Sequence, residues 1–87
     1  MAAQFETVEN SSNVKAAHYD PATERCLVHY KNGAVYPYEP VTSELYEEFR
    51  ITFDGSYSAG VFINTYMRRL AGARLSADEV EALGIEV

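Results

Sequence analysis

The 87 residues predict an α+β fold: an antiparallel three-stranded β-meander, then two helices packed on the sheet, then a short C-terminal helix. Three observations carry this. Arg25 to Lys31 and Ala34 to Glu39 are β-rich runs on either side of Asn32-Gly33, the strongest short hairpin signal. The apolar residues then change to helical spacing, at Val41, Leu45 and Phe49 and again at Ala59, Phe62, Ile63, Tyr66, Met67 and Leu70. Strands followed by helices is the order of an α+β domain, and a chain this short has room for one core.

Residues 1–11 read as a flexible or loosely docked arm. Asn13 to Tyr19 is β-compatible, and Asp20-Pro21 opens a turn that runs to Glu24. A two-residue type I′ turn at Asn32-Gly33 puts Gly33 at positive φ. It pairs Lys31 with Ala34, Tyr30 with Val35, His29 with Tyr36, and Leu27 with Tyr38. One hairpin face then carries Cys26, Val28, Tyr30 and Val35, and the other carries Leu27, His29, Tyr36 and Tyr38. One face packs on the helices; the other is covered or is a binding surface. Pro37, which has no N–H, marks an edge strand.

Thr42 or Ser43 caps a first helix that runs through Arg50, with Glu44 near its positive end. Asp54-Gly55-Ser56 is a loop. Ser58 caps a second helix that ends near Ala71, before Gly72. In the tail, Ser76 and Glu79 form a capping box and Leu75 and Val80 a hydrophobic staple. Gly84 terminates this third helix, with Ile85 placed against Val80. So short a helix is marginal alone, so Leu75, Val80, Leu83 and Ile85 are expected to dock on the body or on a partner.

The order and spacing of several pieces resemble one known family. They are Ser11-Ser12-Asn13-Val14, Tyr19, Tyr30-Lys31-Asn32-Gly33 and Tyr36-Pro37-Tyr38, then Val41, Tyr46 and Phe49, then Ser58, Gly60, Phe62, Asn64 and Arg68. Together they resemble the KTSC domain, named after the C-terminus of some lysyl-tRNA synthetases. The resemblance covers residues 11–69, about two-thirds of the chain. It implies a short domain with Tyr-x-Tyr at its centre, occurring alone in bacterial and phage proteins, with RNA binding suggested by the synthetase context. The chain departs from the family at Thr42, where proline is common, and in the loop from Thr52 to Tyr57. The division that follows is an arm (1–11), a KTSC-like domain (12–71) and an acidic tail with a short helix (72–87).

Charge and cysteine usage narrow the function. Seven basic and 13 acidic residues give a net −6, which disfavours a general phosphate-neutralising surface for duplex nucleic acid. The acidity is mostly in the flanks: residues 1–10 carry −2, residues 70–87 carry −3, and 11–69 only −1. No apolar run approaches the ~20 residues of a membrane span, and the first twelve residues lack signal-peptide features. Cys26 is the only cysteine, so a reducing, cytoplasmic setting without internal disulfides is expected.

Tyr36 and Tyr38, on one sheet face with His29, are candidates to stack bases of RNA or of another nucleotide-bearing ligand. The other reading has the two rings filling the sheet–helix core, hydroxyls at its rim. Asn64 and Arg68 lie four apart on the second helix and with Ser58 and Gly60 could hold an anion, or could serve caps and turns. His18, His29 and Cys26 match no zinc spacing, and no phosphate loop, dinucleotide fingerprint or nucleophile elbow is present. A non-catalytic binding module without cofactor is therefore expected. Its alternative is a protein–protein interaction or inhibitor protein, for example a phage-encoded effector against host defence, contacting its partner through Val80, Leu83 and Ile85.

Overall fold

The computed structural model describes residues 5–9, 11, 13–54 and 58–83. The fold is α+β, and its antiparallel sheet has four strands in the order β1-β2-β3-β4. These are β1 (Glu6–Thr7), β2 (Val14–Asp20), β3 (Arg25–Tyr30) and β4 (Val35–Tyr38). The three strands expected are thus joined by a fourth, drawn from the segment read as an arm: Glu6 pairs with Ala17 and Thr7 with Ala16. Two-residue strands give no alternation to read. Val8, buried in the core and donating its N–H to the Lys15 carbonyl at 3.0 Å, holds this one in place.

The hairpin differs from the expected one by a single residue, with large consequences. The Tyr30 N–H donates to the Ala34 carbonyl at 2.8 Å, and the Gly33 N–H donates to the Tyr30 carbonyl at 3.0 Å. The loop therefore has three residues, Lys31, Asn32 and Gly33. Gly33 is in the left-handed region at φ 91°, as expected, but Asn32 is not, so the turn is type I followed by a left-handed glycine and not type I′. Asn32 Oδ1 accepts from the Ala34 N–H at 2.9 Å and braces the turn. Cys26 now faces Tyr38, Val28 faces Tyr36, and His29 faces Val35. Because side chains alternate, this slip moves Tyr36 and Tyr38 to the face of Cys26 and Val28, and Val35 to the face of Leu27 and His29.

The first face carries the main core. Helix α1 (Ser43–Ile51) and helix α2 (Ala59–Phe62) lie over it, and Val14, Ala17, Cys26, Val28 and Tyr38 meet Val41, Phe49, Phe53, Phe62 and Met67 there. Thr42 caps α1, its hydroxyl accepting from the Leu45 N–H at 3.1 Å. Ser58 caps α2 by accepting from Val61 N–H at 3.3 Å. Past Phe62 the helix widens into a π turn over Ile63–Met67 and tightens into a 3-10 turn over Arg68–Leu70. A π turn adds a residue to the repeat. Met67 thereby swings to the middle of the core-facing side and is fully buried, while Tyr66, expected in the core, is 59 % exposed.

The second face is closed by the tail. Helix α3 (Ala77–Ala82) has the expected capping box: Ser76 Oγ accepts from Glu79 N–H at 3.2 Å, and Glu79 Oε1 from Ser76 N–H at 3.0 Å. Leu75 and Val80 are buried in a second cluster with Leu27 and Val35, and Phe5 and Leu83 pack on it. Residues 70–75 also run along the free edge of β4. Glu39 N–H donates to the Leu70 carbonyl (3.1 Å), Gly72 N–H to that of Pro37 (2.7 Å), and Leu75 N–H to that of Val35 (2.9 Å). An edge strand that contains Pro37 is thus covered by its own chain. A body expected to end at residue 71 would leave Leu27 and Val35 bare. The expected cap at Gly84 and Ile85 lies outside the described residues.

Two outcomes follow. Deleting residues 73–87 is expected to destabilise the body by roughly 3–6 kcal/mol, the order of uncovering two large apolar side chains, measured by urea unfolding; an unchanged midpoint would show the tail to be dispensable. Gly33→Val is expected to cost about 1–3 kcal/mol, because a β-branched residue is strained at positive φ; the melting temperature reports it.

Candidate functional site

Hairpin register brings three tyrosines to one place. Tyr30 and Tyr38 hydroxyls are 2.6 Å apart, and the Tyr30 and Tyr36 rings meet edge-on at 5.9 Å and 84°. Tyr38 is only 5 % exposed, whereas Tyr30 and Tyr36 are half-buried at the core margin. Burial raises the Tyr38 phenol well above its usual value, and its bond to Tyr30 adds to this. Tyr30 is also raised by burial, with the bond to Tyr38 acting in the opposite direction. Both phenols are therefore neutral hydrogen-bonding groups over the working pH range.

His29, expected beside these tyrosines, is on the opposite face and 2 % exposed, with the Phe5 ring edge-on at 6.3 Å. Burial, and then the Lys15 charge, lower its pKa, so the imidazole is held neutral. Cys26 is fully buried on the main-core face, and burial pushes its thiol up to about 12, which makes it a packing residue and not a nucleophile. Among the described residues, no group of His, Cys, Asp and Glu could hold a metal ion, and no helix is long and apolar enough to cross a membrane.

Asn64 and Arg68 are exposed, Asn64 within the π turn and Arg68 at the start of the 3-10 turn. The contact of this helix with the Ser11–Asn13 segment is made one turn earlier. A Cβ on Gly60 would lie 2.8 Å from Asn13 Oδ1, so glycine allows the close approach. Ser11 Oγ accepts from Val14 N–H at 3.0 Å and donates to Asn13 Oδ1 at 3.3 Å. The Asn13 carbonyl accepts from Lys31 N–H at 2.8 Å, which ties the segment to the hairpin. A hollow of about 470 Å³ lined by Asn13, Tyr30, Lys31 and Asn32 opens at this end of the sheet. A larger one, about 610 Å³, lies along the seam where the tail meets Gly33 and includes Arg74, Leu75 and Val80. Of the residues expected to meet a partner, Val80 is buried and Leu83 half-buried against the sheet, and Ile85 lies outside the described residues.

The exposed apolar surface is elsewhere. Among the described residues, the exposed large apolar ones are Ile51 (67 % exposed), Tyr66 (59 %) and Val61 (47 %), all in the helical part of the chain. Ile51 ends α1, and with Glu48, Thr52, Phe62 and Tyr66 it lines a hollow of about 460 Å³ between α1 and α2. Ile51 lies one residue beyond the helix end expected at Arg50. The available signal was its phase: two positions beyond Phe49, it points away from the core stripe. No comparable signal marks Tyr66, whose exposure depends on the π turn.

Comparison with known proteins gives a consistent picture. A family model described as KTSC domain matches residues 10–69. The crystal structure of a KTSC domain protein from Yersinia pestis superposes with a TM-score of 0.65 at 21 % identity, covering 86 % of this chain and 100 % of that one. That share exceeds the 60 of 87 residues spanned by the family model, so the common fold takes in residues beyond 10–69. No match was found among curated proteins.

The buried His29 generates a pH dependence. Its folded-state pKa is below the ordinary 6.5, so the unfolded chain binds the extra proton first. The contribution of neutral His29 to stability is complete above that value and declines as the pH falls below it. Unfolding free energy measured from about pH 7 down to about pH 5 is expected to fall less steeply in His29→Leu than in the parent; identical slopes would show that His29 is not buried neutral.

Proposed function

The chain belongs to the KTSC domain family, and on that premise we propose that it is a non-catalytic binding module whose ligand is another protein. One observation carries this reading: both faces of the sheet are covered by the chain's own side chains, while Ile51 and Tyr66 are exposed together at the hollow between α1 and α2. Exposed large apolar residues grouped on one side of a small domain mark a contact surface more often than chance placement does. An inhibitor or effector acting by contact is one form of this role. The buried thiol and the raised phenols supply no poised nucleophile or base, which supports a non-catalytic role.

RNA or another nucleotide-bearing ligand is the second reading. It is favoured by the hollow at Asn13, Tyr30, Lys31 and Asn32, where a half-exposed ring stands beside a cation. Against it, Tyr38 is buried, Tyr36 is held edge-on to Tyr30, and the net charge is −6. Stacking is worth ~1–3 kcal/mol per base only where a ring face is free.

Titration of labelled single-stranded RNA at low salt, beside affinity capture from lysate with and without nuclease, separates the two. The expected result is no RNA shift and a captured protein that survives nuclease treatment. An RNA shift that Lys31→Ala weakens would overturn the protein-contact reading in favour of the hairpin hollow.

A further inference from the structure

Ile51 is the common wall of two hollows. The one described above lies between α1 and α2; the other, about 400 Å³, lies between α1 and the β1 segment. Each has a buried aromatic floor, Phe53 in the second and Phe62 in the first, and each is of a size that takes one or two side chains. Their charged rims are mostly acidic. Glu6, Glu47 and Asp54 border the hollow by β1, and Glu48 borders the one by α2. Among the described residues Arg50 is the one base lining either hollow, and it is engaged with Glu6 Oε2 at 2.9 Å and Glu47 Oε1 at 4.0 Å. Four acids against one occupied base leave the rim at −3.

We propose that this ridge is the binding surface for a basic, apolar-containing segment of a partner protein, whose Lys or Arg side chains meet the acidic rim while large apolar side chains enter the hollows beside Ile51. The inference rests on the protein-contact reading above and adds the place and the chemistry of the partner. Charge complementarity selects this occupant: the net negative rim attracts Lys and Arg side chains and repels an acidic segment. Tyr66, tilted on the Phe62 ring at 4.9 Å, extends the apolar wall and offers a hydroxyl at its edge.

The test is selection of a random-peptide library on the full chain. Selected peptides are expected to be rich in Lys or Arg together with Leu, Ile or Phe, and to weaken with added salt. Against Ile51→Ser they are expected to bind about tenfold more weakly, the effect of losing a central apolar anchor. Since Ile51 is exposed, the melting temperature of that variant stays at the parent value. Glu47→Gln with Glu48→Gln keeps the shape and reduces the preference for basic peptides. An empty selection, a selected set rich in Asp and Glu, or a set that binds Ile51→Ser as tightly as the parent overturns the proposal. A captured protein that survives nuclease treatment and still binds Ile51→Ser would overturn this surface while leaving the protein-contact reading standing. An RNA shift would remove both.

Discussion

Gly33 lies in the left-handed region at φ 91°, and the three-residue loop it closes sets the register of the central hairpin. Everything on β4 depends on that register. With Tyr30 bonded to Ala34, Tyr36 and Tyr38 stand on the side of Cys26 and Val28, where Tyr38 is buried in the core and Tyr36 is half-buried at its margin. A two-residue loop would reverse every β4 side chain, placing Val35 beside Cys26 and Val28 and moving Tyr36 and Tyr38 to the face of Leu27 and His29. The turn glycine thus determines which aromatic rings belong to the core.

The same register creates a demand on the other side. Leu27, His29 and Val35 face outward from the main core, and a small domain cannot leave such a surface in water. The tail meets this demand twice: with backbone bonds along the free edge of β4, and with Leu75 and Val80 over the apolar residues. Edge protection and face protection come from one segment, which makes the tail a third layer of the fold. On the same face His29 is buried with the Phe5 ring edge-on to it, and that burial lowers its pKa, which links sheet stability to pH.

The helical layer shows the converse. Its inner side is filled by Phe49, Phe53, Phe62 and Met67, with rings in edge-on and stacked contact, Phe49 to Phe53 at 4.8 Å and Phe49 to Phe62 at 5.6 Å. Once the π turn has brought Met67 inward, Tyr66 has no place inside. Together with Ile51 it gives the outer surface an apolar character that sheet and tail do not share. Accessible apolar surface therefore lies on the outer side of the helices, where Ile51 and Tyr66 are exposed, and not on the sheet, whose two faces are covered.

Much of the local structure was legible in the residues. The α+β order, the caps at Thr42, Ser58 and Ser76, the positive φ at Gly33 and the core roles of Val41, Phe49 and Phe62 follow from short-range chemistry that the sequence by itself determined. The candidate site was legible only in part. Tyr36 and Tyr38 do share a face, as an i, i+2 pair must, but which face, and whether His29 joins them, is settled by the register. β1, the docking of the tail and the exposure of Tyr66 belonged to the tertiary structure alone. Two-residue strands, alternative turns and a π turn differ little in local energy, so long-range packing of Val8, Leu75, Val80 and Met67 selects among them.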